Sequence, residues 1–454
     1  MGELRSSYFT FSSYYSTSVS ILASLLYTTI YSFLLFANVN SYHPVIHQFP
    51  TLNNITGRSK TLIYVNEFGA KGDGITDDTK PFQDVWKIAC SSPLRPKIVI
   101  PSGYSFLVRP IDFVGPCRSK VSLSIAGSIV APKDPQVWDG LNPHKWLYFF
   151  KVKYLTVEGG GTINGMGQKW WARSCKINTT NPCRHAPTAM TFHRCNNLKV
   201  RDIRMLNSQQ MHISISKCIH VEVSHLIVQA PAKSPNTDAI HLSSSTHVGI
   251  RDSSIGTGDD CISIVGNSSR ILVKNIACGP GHGISIGSLG KSNSSSSQVH
   301  DVCVDGAYLS NTENGVRIKT WQGGRGFVRK IAFANVWMEN VSNPIIIDQY
   351  YCDSPLACPN QTLAIGINSV SFVGIRGSSA TKNAITFACS DNSPCRNLYL
   401  EDVQLVSFLD FPTTSFCWKA YGSTSGLNNP SSCFPSSESI VQRPTELSNL
   451  SKSI

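Results

Sequence analysis

The sequence predicts an all-β solenoid of stacked strands, and three observations carry that prediction. First, apolar pairs separated by one residue recur as Ile213/Ile215, Ile240/Leu242, Ile262/Ile264, Ile284/Ile286, Val316/Ile318 and Ile345/Ile347. The steps between their first members are 27, 22, 22, 32 and 29 residues. Second, another series is interleaved with it: Leu198/Val200, Val221/Val223, Val248/Ile250, Leu272/Val273, Val302/Val304 and Ile331/Phe333. Two strand series with a period in the twenties indicate coils that each contribute two or more strands. Third, Asn, Gly and Ser cluster between the strands, as tight turns require, and helical periodicity is scarce there. Charged residues make up only 15% of the 454, which suits strands and turns better than helices.

The elements follow in chain order. Val19 to Ala37 is largely apolar, with Arg5 ahead of it and the small residues Ala37 and Ser41 near its end. Residues 1–41 therefore read as a signal peptide, with an uncleaved anchor as the alternative. Residues 42–60 read as a short leader, 61–425 as the coils, and 426–454 as a Ser/Pro-rich tail. Within Asp78–Cys90, Phe82, Val85, Trp86 and Ala89 fall at helical spacing, and Pro81 is tolerated in a first turn. A helix there caps the open end of the solenoid, whose edge would otherwise expose apolar side chains. Trp170-Trp171 reads as structural packing beside the Gly159-Gly160-Gly161 turn rather than as a sugar platform. All 15 cysteines fall at or after Cys90, as expected in an oxidising compartment. Sequons at Asn54, Asn178, Asn267, Asn293, Asn340, Asn360 and Asn449 fit a secreted glycoprotein. No paired CxxC or HxxxH spacing occurs, so neither a metal nor a cofactor is expected.

Lys and Arg number 40 against 28 Asp and Glu, a formal charge of +12, which favours an acidic partner. No dense Lys/Arg run or nucleic-acid-binding motif appears, so the expected partner is not nucleic acid. The stretch Ser234–Lys319 gathers the candidate chemistry: Asp238, Asp259, Asp260, His282, Arg317 and Lys319. Asp238, Asp260 and His282 each stand two residues ahead of a strand's first apolar residue, so stacking places them in a column about 4.8 Å apart per rung. Asp259 is displaced from that column. Alternation puts Val316 and Ile318 inward and Arg317 and Lys319 outward. Strict alternation carried back from Ile240 would also turn Asp238 inward. A bend before each strand, at Pro235, Gly258 and Gly281, removes that conflict.

Asn236-Thr-Asp238, Gly258-Asp259-Asp260, Gly281-His282-Gly283 and Arg317-Ile-Lys319, in this order, resemble the motifs of the polygalacturonases. These are pectin-degrading glycoside hydrolases with a right-handed parallel β-helix fold. The resemblance runs from about Tyr64 to Cys417, and Val65–Thr79 looks like the opening of plant members. It implies inverting hydrolysis of α-1,4-galacturonosyl linkages in polygalacturonate or pectin, outside the cell in the wall, by a monomer. Proteinaceous wall inhibitors are partners that the resemblance allows. Asp259 is then the general acid, because clustered carboxylates repel and one keeps its proton. Asp238 and Asp260 hold the attacking water, and His282 sets the protonation of Asp259. Arg317 and Lys319 bind substrate carboxylates. Asn236 orients Asp238 or the sugar, and Tyr351 is the groove tyrosine, with Tyr350 as the alternative. The same resemblance suggests the disulfides Cys90/Cys117, Cys261/Cys278, Cys352/Cys358 and Cys389/Cys395, and also Cys417/Cys433. One departure is Ala239, where the family has Gly: it adds a methyl group near the water and forgoes positive φ. A pectate or pectin lyase and a non-catalytic wall-binding protein are the alternatives. Endo or exo attack is not legible, because loops at the groove ends decide it.

Overall fold

Each apolar pair of the first series is the inward side of a strand. In the computed structural model, which describes residues 61–291, 295–354 and 356–435, Met190, Ile213, Ile240, Ile262, Ile284, Val316, Ile345 and Ile385 stand opposite one another on successive parallel strands. Phe192, Ile215, Leu242, Ile264, Ile286, Ile318, Ile347 and Phe387 form the neighbouring column. All sixteen are fully buried. Burying one such side chain contributes about 1.5–3 kcal/mol, so the stacked columns are the main reason these strands stay in register. They belong to a sheet of eleven strands among the described residues. The chain winds as a right-handed parallel β-helix. The signal and leader expected over 1–60 lie outside the described residues.

The second series builds a nineteen-stranded sheet among the described residues. Its strands Asn196–Leu206, Ile219–Gln229, Thr246–Gly256 and Ser268–Cys278 each turn a corner midway. The corner residues Asp202, His225, Asp252 and Asn275 have φ of 53°, 53°, 51° and 53°. One expected pair needs correcting. Ile271, not Leu272, stands opposite Val248 and Val302, while Leu272 faces Gly249 and Cys303. The run Ile271-Leu272-Val273 is apolar throughout, so alternation alone did not choose between the two neighbours.

The expected cap is a helix over Thr79–Ser91 that buries Phe82, Val85, Trp86 and Ala89. The Asp78 carboxylate accepts from the Lys71 and Gly72 amides at 2.6 and 3.1 Å, tying the preceding turn to the helix start. Trp171 sits in a short helix, Gln168–Ala172, and its Nε1–H donates to the Ser208 carbonyl at 3.0 Å. Trp170 packs edge-on against Trp138. Both are packing residues here.

All five suggested disulfides are present, and Cys175–Cys183 is a sixth that was not foreseen. It closes a loop with no strand pattern to mark its partners. At the other end the fold runs past the boundary set at 425. The Cys417–Cys433 disulfide ties it down, the Asn429 amide donates to the Val403 carbonyl at 2.7 Å, and Phe434 stacks on Phe387. Low hydrophobicity in this stretch hid its attachment, which is made by a disulfide, by backbone and by one aromatic ring. The tail beyond 435 lies outside the described residues.

Candidate active site

The site lies where strands of the eleven-stranded sheet begin. Strands start at Ile240, Ile262 and Ile284, so Asp238, Asp260 and His282 precede them at one shared offset. The backbone leaves strand geometry just there, as the bend required. Asn236 has φ 54° and Gly283 has φ 81°. A Cβ on Gly283 would lie 2.1 Å from the Asn314 carbonyl, so only glycine fits between the rungs. Ala239 makes no such demand. It does not adopt positive φ, it is fully buried in the apolar core, and its amide donates to the Asp260 carbonyl at 3.0 Å. The extra methyl group is therefore packed within the core.

Asp260 is 2% exposed and has both oxygens occupied. Its Oδ1 accepts from Ser285 Oγ and Arg317 Nη2, both at 2.8 Å. Its Oδ2 accepts from Lys319 Nζ at 2.9 Å. Arg317 Nε also donates to Ser285 Oγ at 3.0 Å. Two cations and a hydroxyl on one buried carboxylate fix its orientation. Alternation correctly turned Arg317 and Lys319 away from the core. They are nevertheless 8% and 7% exposed, because their heads fold back onto Asp260.

Asp259 faces a different partner. Its Oδ1 lies 3.1 Å from His282 Nδ1 and accepts from the Asp260 amide at 2.8 Å. His282 Nε2 lies 3.2 Å from the Glu313 carboxylate. Burial alone would raise the Asp259 carboxyl, but the hydrogen bond and charge of His282, with the Lys319 charge, outweigh it and hold the group below its ordinary value. Burial likewise opposes charge on His282, and Asp259 and Glu313 overcome it, so the imidazole holds its proton above its ordinary range. Across their 3.1 Å contact each group thus favours the charged form of the other.

Asp238 is the third carboxylate, 8% exposed. Its Oδ2 accepts from Ser263 Oγ at 2.7 Å. Burial and the neighbouring charge of Asp259 push its carboxyl up. The three carboxylates thus have three environments: one held by two cations, one paired with histidine, one pushed up by burial and its neighbours.

Tyr351 is brought to the site and Tyr350 is not. Lys319 Nζ lies 5.4 Å from the Tyr351 ring centre, and Trp321 packs edge-on against that ring. The Tyr350 hydroxyl instead donates to Asp391 at 3.1 Å. Asn236 stands half-buried at the bend before Asp238. One atom each of Asp259, Asp260 and His282 lie within 4.8 Å of one another. That spacing would suit a metal ion, but Asp260 has both oxygens engaged, and Arg317 and Lys319 place two positive charges beside it.

Residues 90–426 match the glycosyl hydrolases of family 28. The chain belongs to this family. It is 54% identical over 436 residues to a probable polygalacturonase of Arabidopsis thaliana, covering 95% of this chain and 98% of that one. Among solved structures it resembles an exopolygalacturonase of Thermotoga maritima, with TM-score 0.66 at 18% identity over 82% of this chain and 93% of that one. It also resembles an endo-xylogalacturonan hydrolase of Aspergillus tubingensis, with TM-score 0.65 at 21% identity over 81% and 100%. At such identities the two structures speak for the fold alone.

The family 28 site has members that the sequence reading passed over. His241, Ser263, Ser285 and Arg317 stand opposite one another on successive strands. His241, Ser263 and Ser285 each reach an aspartate or another member of the row. Their signal was present: each is the single residue between two inward apolar ones, the same position that singled out Arg317. Ser and His in that position read as ordinary solvated side chains, so nothing in their type drew notice.

Proposed function

We propose that this glycoside hydrolase cleaves α-1,4-galacturonosyl linkages of polygalacturonate, the pectin backbone, outside the cell and with inversion. The observation that carries the reading is Asp260 clamped by Arg317 and Lys319 at 2.8 and 2.9 Å, next to Asp259 in contact with His282 at 3.1 Å. The relative from Arabidopsis thaliana, named as a probable polygalacturonase, supports the substrate class.

Asp259 is the general acid in this account. The proton resting on His282 moves to Asp259 as the leaving oxygen gains charge, and Asp259 delivers it. Asp238 and Asp260 flank a water on the opposite face of the sugar. Arg317 carries five N–H donors and the Lys319 ammonium three. Those not engaged by Asp260 and Ser285 are offered to a substrate carboxylate, and Tyr351 beside them contacts the ring. Asn236 holds the bend that aims Asp238. The six disulfides fit an oxidising, extracellular setting. The protein acts as a monomer, its N-terminal edge closed by the Thr79–Ser91 helix. Binding by proteinaceous wall inhibitors rests on family resemblance alone.

Digestion of de-esterified polygalacturonate tests the reading. New reducing ends without ultraviolet-absorbing unsaturated products are expected. Unsaturated ends would mean elimination, and no cleavage would leave a wall-binding protein. Product sizes over time separate internal from terminal attack.

A further inference from the structure

We infer that Asp238 alone takes the proton of the attacking water, and that His241, acting through Ser263, is the positioning residue that keeps Asp238 ready to accept it. The inference rests on the hydrolase reading above and divides the work of the two carboxylates that flank the water.

Occupancy separates the two carboxylates. Asp260 accepts from Ser285, Arg317 and Lys319 through both oxygens. Protonating it would break a contact with a cation inside a buried cluster, so it orients the water and does not take its proton. Asp238 has Ser263 on Oδ2 and, among the described residues, no cation of Arg or Lys within ion-pair distance.

The direction of the hydrogen bonds gives His241 its part. Ser263 has one O–H, and it donates that proton to Asp238 Oδ2 at 2.7 Å. His241 Nδ1 lies 2.8 Å from the same Ser263 oxygen. With the serine proton already committed, Nδ1 must be the N–H donor. The chain therefore runs His241 to Ser263 to Asp238 and favours the carboxylate form at its end. His241 Nδ1 is also 3.9 Å from Asp238 Oδ2. Nothing else equivalent faces Asp238. From the following rungs come Asp259 and Asp260, which oppose its ionisation, as burial does. On the preceding rung Ser214 stands beside His241, and the fully buried His212 places Nδ1 3.3 Å from the Asp238 carbonyl, not its carboxyl. Among the charged and titratable neighbours of Asp238, His241 is the one that favours the ionised base.

The test is the pH dependence of kcat/KM on polygalacturonate for the full chain. The acid limb reports the base. His241→Ala should move that limb upward by about one pH unit, with activity recovered at higher pH. His241→Gln offers an N–H to Ser263 without a ring that can charge; it should keep the plateau rate and shift the limb less. It also serves should the alanine variant fold poorly. Ser285→Ala, on the Asp260 side, should lower kcat and leave the acid limb in place. An unmoved limb in both His241 variants overturns the inference. A limb that moves in Ser285→Ala overturns it too, since Asp260 would then share the proton. Failure of the wild type to release reducing ends at any pH would instead remove the hydrolase reading.

Discussion

Ile262 and Ile264 differ from Ser263 between them in only one respect that matters: which side of the strand they occupy. On the inner side, sixteen apolar side chains stack over eight rungs with no polar interruption. On the outer side, His241, Ser263, Ser285 and Arg317 occupy the same strands and change type at nearly every rung. The inner column is free to be monotonous because each rung asks for the same thing, apolar volume at strand spacing. The outer row is varied because its rungs serve two carboxylates in different ways: His241 and Ser263 reach toward Asp238, and Ser285 and Arg317 hold Asp260. Stability and chemistry are thus assigned to opposite faces of one ribbon, and substitutions on the two faces should fail in different ways.

The sharpest separation is expected at Asp259. Asp259→Asn should lower kcat by about 10²–10⁴-fold while the melting temperature falls no further than it does in His282→Gln, which loses the same pair. A variant retaining a tenth of the activity would exclude Asp259 as the acid. On the inner face, Ile262→Ala should cost about 2–5 kcal/mol of stability, read by denaturant unfolding. The folded fraction should keep its kcat, and a kcat loss at unchanged stability would break the division between faces.

Lys319 and Arg317 are where the division should blur. They face outward, yet they are nearly buried and each holds Asp260. Lys319→Ala removes one of two cations from a buried carboxylate, so it should lose about 3 kcal/mol of stability and also raise KM. A rise in KM with no stability change would mean that Asp260 does not depend on the pair.

A smaller effect is expected from the Asp259–His282 pair, through pH. Asp259 is held below its ordinary 3.8, so its contribution is present above that value and fades as pH falls through the folded one. His282 is held above its ordinary 6.5, so its contribution is complete below that value and is lost as pH rises through the folded one. The melting-temperature gap between wild type and His282→Gln should therefore peak at about pH 5–6 and narrow on both sides. A gap independent of pH would mean that the two are not paired as ions. The same raised histidine should set the alkaline limb of activity, since its proton is the one Asp259 delivers.

Most of the fold was legible because the inner columns repeat. Ile213 through Ile345 fixed six rungs, and the observed register agrees residue for residue. Leu272 shows the limit: in a run of three apolar residues, alternation has no polar member to anchor it. The charged part of the site was legible for the opposite reason, since Asp259-Asp260, His282 and Arg317 break the pattern at fixed offsets. What was missed is chemically quiet. Ser263, Ser285 and His241 look like any solvated strand face until the rungs are stacked and each hydroxyl is seen to reach an aspartate. The Cys175–Cys183 bridge lay outside any repeat, so periodicity had nothing to say about it.

The central claim is that the outer row directs a water at the sugar carbon from the face opposite the leaving oxygen. Proton NMR of the first product from α-linked polygalacturonate, recorded before mutarotation, tests it most directly. The account predicts the β-anomer as the initial product. An initial α-anomer would contradict it, because retention would require one of the three aspartates to bond covalently to the sugar.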